Sequence, residues 1–77
     1  MNEYQEEKEH LLKLRKEYIN YLRKLEIKAA KFGLSVPVHI EQEIDEIKDK
    51  VEDLKVATEE VKKKIDNIRA DLHQLQG

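Results

Sequence analysis

The sequence predicts an all-α fold, an antiparallel coiled-coil hairpin of two long helices. Three observations predict it. Apolar residues recur at alternating intervals of four and three through the second half of the chain. The only internal glycine, Gly33, and the only proline, Pro37, stand together near the middle. The charge on the two sides of that break is opposite in sign.

The first helix is expected over about residues 3–32. Leu11, Leu14, Tyr18, Tyr21, Leu22, Leu25, Ala29 and Phe32 form one stripe at 100° per residue, and Leu12, Ile19 and Ala30 widen it as a second flank. The apolar arc approaches ~180°, more than the ~100° needed to face one neighbour. Gly33 suits the left-handed position just beyond a helix C-terminus, Leu34 can fold back as the apolar cap contact, and Lys28 and Lys31 favour the negative end of the helix dipole. The turn is expected at 33–36.

The second helix is expected over about 37–75. Pro37 fits its first turn and holds Val36 extended, while Glu41 and Glu43 lie near the positive end of its dipole. Ile40, Ile44, Ile47, Val51, Leu54, Thr58, Val61, Ile65, Ile68, Leu72 and Leu75 make an unbroken heptad row, in which only Thr58 is polar. Its hydroxyl could fix register or bond back to its own helix.

Charge placement supports the hairpin independently. Folding about Ser35 sets residues 13–31, with seven basic and two acidic side chains (+5), against 39–57, with three basic and seven acidic (−4). Further along, Glu3, Glu6, Glu7 and Glu9 with Lys8 (−3) face Lys62, Lys63, Lys64 and Arg69 with Asp66 (+3). Exposed pairs contribute only ~0.2–1 kcal/mol each, so this pattern selects orientation and partner more than it stabilises.

The 77 residues form one domain, and two helices alone bury too little surface for comfortable stability, so a partner is expected. The surplus apolar flank of helix one points to a homo-oligomer, a dimer in the first instance, as a four-helix bundle. A composition 42% charged and 39% hydrophobic fits long charged helices and not a disordered chain. The acidic start MNEYQEEKEH does not resemble a signal peptide, and no apolar run approaches ~18 residues, so a cytoplasmic protein without membrane contact is expected. There is no cysteine, hence no disulfide and no thiolate chemistry.

Candidates for chemistry are few. Glu7 and His10 have the Glu-x-x-His spacing of di-iron bundles, but the residues opposite are Lys62, Lys63 and Lys64, which repel a cation. His39 and His73 lie at opposite ends of the hairpin. No nucleophile–base arrangement and no phosphate-binding glycine loop is present, so neither a catalytic residue nor a metal or other cofactor is expected, and the chain reads as a non-enzyme. A competing reading is a small dimeric RNA- or DNA-binding protein using Arg15, Lys16, Arg23 and Lys24; a net charge of −2 and the acidic second helix weigh against it.

The turn segment AAKFGLSVPVHIEQEIDEI, residues 29–47, carries an Ala-Ala pair (Ala29, Ala30), an aromatic–glycine step (Phe32, Gly33) and a Pro-x-His-Ile step (Pro37, His39, Ile40). In these features it resembles the centre of a short helical-hairpin module of bacterial multidomain signalling and defence proteins. The resemblance implies assembly or adaptor contacts alongside TIR, caspase-like peptidase or NTPase domains. The function expected is a non-catalytic protein–protein interaction and oligomerisation module.

Overall fold

The computed structural model describes residues 3–76, so Met1, Asn2 and Gly77 lie outside the account. Two α-helices make up the fold, α1 (Glu3–Ala30) and α2 (Val38–Gln76), and no strand occurs among the described residues. The molecule is a rod of 63 × 17 × 14 Å. Its long axis is set by α2, whose 39 residues rise about 58 Å at ~1.5 Å each.

α1 begins with Glu3 and Glu6 in its first turn and ends with Lys28 in its last, each sign matched to the dipole end it occupies. The helix stops two residues earlier than the apolar stripe suggests. The N–H groups of Lys31, Phe32 and Gly33 bond to the carbonyls of Lys28, Ala29 and Ala30 at 3.2, 3.0 and 3.2 Å, a tightening to three-residue closure that leaves Phe32 in the turn and exposed. Gly33 then takes φ +61°, the left-handed conformation expected of it. Leu34 does not fold back. It is fully exposed, because the turn closes through Gly33 and Ser35, whose N–H reaches the Phe32 carbonyl at 3.2 Å, and not through a bond that would tuck Leu34 under the helix.

Pro37 caps α2. Its carbonyl accepts from the Ile40 N–H at 3.0 Å and from the Glu41 N–H at 3.2 Å, a position where its missing N–H costs nothing.

The helices are antiparallel. The Tyr21 hydroxyl donates to Glu43, and the Lys64 ammonium stands 5.7 Å from the centre of the Tyr4 ring. The two pairings centre the fold-back at residues 32 and 34, around Gly33 and one to three residues before Ser35. The large block of opposed charge keeps its register along the rod, residues 13–31 lying level with the acidic start of α2, although Arg15, Lys16 and Arg23 within it stand on a face of α1 lined by no residue of α2. The smaller one weakens, because the acidic start of α1 now lies level with Glu59 and Glu60 as well as with Lys62, Lys63 and Lys64.

The core is one row wide. Leu25 from α1 and Ile40, Ile47, Val61 and Ile65 from α2 are buried. Leu11, Leu14, Tyr18, Leu22 and Ala29 on α1, with Ile44, Val51, Leu54, Thr58 and Ile68 on α2, are half-buried along the same seam. A core of this width in a chain under ~80 residues supplies only ~3–5 kcal/mol net. Replacing Ile47 by Ala removes a buried side chain at a cost of ~2–5 kcal/mol. The isolated variant should therefore lose most of its helical circular dichroism at 25 °C. Gly33→Ala should cost about 1–2 kcal/mol in a denaturant titration, through backbone strain alone, because nothing lies within 4 Å of the added carbon.

Candidate interaction surfaces

The row of apolar residues on α2 outlasts its partner. Helix α2 has 39 residues against 28 in α1, and with Tyr4 level with Lys64 its last three turns extend past the start of α1. Exposure follows directly: Ile65 is buried, Ile68 half-buried, Leu72 53% exposed and Leu75 84% exposed. The seam residues are thus a continuous strip, closed over most of its length and open at one end.

The widened stripe of α1 divides into two faces. Its main part meets α2. Leu12 and Ile19 turn away from it and line, with Arg15, Lys16, Asn20 and Arg23, an open groove of ≈ 290 Å³. Leu12 is 43% exposed there, Ile19 half-buried, and Ala30 lies exposed further along. Three of the four cations suggested for nucleic acid, Arg15, Lys16 and Arg23, therefore share one face with the apolar flank; Lys24 is exposed outside the groove. The Arg15 Nε is buried without a hydrogen-bond partner.

Tyr21 sits on the rim of the seam, its ring over the apolar stripe and its hydroxyl on Glu43. That hydrogen bond, with desolvation and the carboxylate's charge added to it, holds the hydroxyl above its ordinary value of 10.0. Thr58 bonds back, its hydroxyl donating to the Leu54 carbonyl at 2.6 Å, so its polar atom is satisfied within its own helix.

Glu7, His10, His39 and His73 are all exposed. Among the described residues no group of three His, Asp or Glu side chains stands close enough to hold a metal ion. Among the described residues no helix is long and apolar enough to cross a membrane. Among the described residues, three exposed large apolar side chains fall outside the stripes of α1, the turn and the heptad row: Ile27, 62% exposed, Val38, 65% exposed, and, in the middle of α2, Val56, 47% exposed. The signal of Val56 lies in its neighbours, since it has a carboxylate three and four residues to either side.

These features define an elongated two-helix hairpin of coiled-coil pattern with uncovered apolar surface. No family model matches the chain, and no curated protein or solved structure matches it significantly.

The Tyr21–Glu43 bond gives the hairpin a pH dependence. A proton held more tightly in the folded state contributes stability that is complete below pH 10.0 and is lost as pH rises through the raised value. The stability of the native chain minus that of a Tyr21→Phe variant, from urea titrations between about pH 8 and about pH 11, should therefore fall with rising pH. A difference independent of pH would show that the bond does not form.

Proposed function

We propose that this chain is a non-catalytic protein–protein interaction and oligomerisation module, a self-associating hairpin that assembles or adapts bacterial signalling or defence effectors. The observation that carries the association is the open end of the α2 row. Two leucines stand in water in phase with a seam that is buried only a few turns earlier, and enclosing a leucine contributes ~1.5–3 kcal/mol. The spacing in that segment is symmetric about Ala70, with Ile65, Ile68, Leu72 and Leu75 three, four and three residues apart. Two copies can overlap antiparallel there, Ile68 of each level with Leu72 of the other and Leu75 reaching the edge of the seam beside Ile65, which α1 already covers, as antiparallel coiled coils pair their layers.

A compact four-helix bundle built instead on the flank of Leu12, Ile19 and Ala30 would set Arg15, Lys16 and Arg23 of two copies against each other. Like charges at such an interface cost several kcal/mol. The open end carries only Asp66, Arg69 and Asp71 as charges beside its apolar row, and so we place the dimer contact there. The assignment to signalling or defence assemblies is supported by the turn segment 29–47 and its likeness to hairpin modules of that class.

Sedimentation equilibrium of the full chain tests the association. The native chain should dimerise, and Leu72→Asp with Leu75→Asp should weaken it by well over tenfold, since each ~1.4 kcal/mol is a factor of ten. Helical content per molecule should be retained in the doubly substituted chain, because both side chains are exposed in the single hairpin. A native chain that stays monomeric and fully helical at high concentration would contradict the proposal.

A further inference from the structure

Two features on the outer faces of the hairpin are reciprocal in shape and charge. On α1, Ile19 has Arg15, Lys16 and Arg23 four residues before, three before and four after it, the positions that adjoin it on a helix surface, and Leu12 continues the apolar floor. On α2, Val56 has Glu52, Asp53, Glu59 and Glu60 at the four equivalent positions, all of them exposed. The first is an apolar groove ringed by three cations, and the second an apolar knob ringed by four carboxylates. Within one hairpin they cannot meet, because Val56 lies two residues from both Leu54 and Thr58 and so points to the side of α2 away from α1.

We propose that the Val56 knob of one copy seats in the Leu12–Ile19 groove of a second copy. The carboxylates around Val56 then face Arg15, Lys16 and Arg23, whose guanidinium and ammonium groups pair with them. The lengths agree. The carboxylate ring from Glu52 to Glu60 extends ~12 Å along its helix, and the groove from Leu12 to Arg23 extends ~16 Å. The charges set orientation and make the contact sensitive to salt, while Val56, Leu12 and Ile19 supply the apolar contact. A nucleic-acid backbone would satisfy the same cations but leave the apolar floor uncovered.

Because donor and acceptor are different surfaces, this contact leaves one groove and one knob free at the ends of any pair. Copies therefore add laterally into a ring or an open chain, unlike the closed pair formed by the α2 ends. The inference rests on the self-association proposed above and adds a second, electrostatic interface to it.

Sedimentation velocity of the full chain tests it, with circular dichroism to check that each variant is helical. Species larger than a dimer should form at about 50 mM salt and collapse to dimers at about 500 mM. Lys16→Glu with Arg23→Glu, or Glu52→Lys with Glu60→Lys, all exposed positions, should each reduce the larger species at least tenfold at low salt. An equimolar mixture of the two variants should restore them, since each then offers the surface the other needs. Persistence of the larger species in both variants, or a mixture that restores nothing, would overturn the proposal while leaving a dimer sensitive to Leu72→Asp and Leu75→Asp in place. A chain that is monomeric throughout would overturn both readings. Salt-sensitive gel-shift binding of duplex RNA or DNA, lost in Lys16→Glu with Arg23→Glu and accompanied by no change in sedimentation, would assign the groove to phosphate and overturn the proposal too.

Discussion

Everything in this molecule depends on one contact, the apolar seam between α1 and α2. Among the described residues, Leu25, Ile40, Ile47, Val61 and Ile65 are the only buried ones. Neither helix has a second layer to fall back on. Long helices of this composition gain little from propensity alone, and most of their stability in a protein comes from packing an apolar face. The seam also decides which polar groups meet: it brings Tyr21 to Glu43 and Tyr4 to Lys64, and it turns Leu12, Ile19 and Val56 outward, where they are available to other molecules.

The seam is unevenly shared. Helix α2 carries a heptad row long enough for a partner of its own length, and α1 covers only part of it. Helix α1, in turn, has more apolar arc than one neighbour can enclose, and that extra arc is bordered by cations. A core this narrow under a surface with this much apolar area is what supports the proposal that the hairpin holds other helices. The proposed roles follow from this imbalance: an end-to-end contact where the row is uncovered, and a lateral one where opposite charge surrounds small apolar features.

Much of this was legible in the sequence. The four–three spacing from Ile40 onward and the pairing of Gly33 with Pro37 dictate two helices and one turn, because heptad periodicity and backbone-restricted residues act locally. The turn's detailed closure was not legible. Whether Leu34 tucks under the helix or stands in water depends on which carbonyls the Gly33 and Ser35 amides find, and a change of one to three residues there shifts the whole register. That shift weakened the smaller charge match and left the larger one in register along the rod. Among the seam residues, Tyr21 and Leu72 have the spacing of core positions. Their exposure is set by where α1 lies and where it starts, information carried by the pair and not by either helix. Val56 escaped pattern reading for the opposite reason, since a lone apolar residue among charges carries no periodic signal.

The most direct measurement of the central claim is amide hydrogen exchange along α2 at low and high protein concentration. A seam closed by α1 over its first part and by a second copy over its last predicts strong protection from Ile47 to Ile65 at both concentrations. Amides from Ile68 to Leu75 should exchange rapidly when dilute and gain protection as concentration rises. Equal protection along the whole of α2 when dilute, or no change from Ile68 to Leu75 when concentrated, would contradict the account.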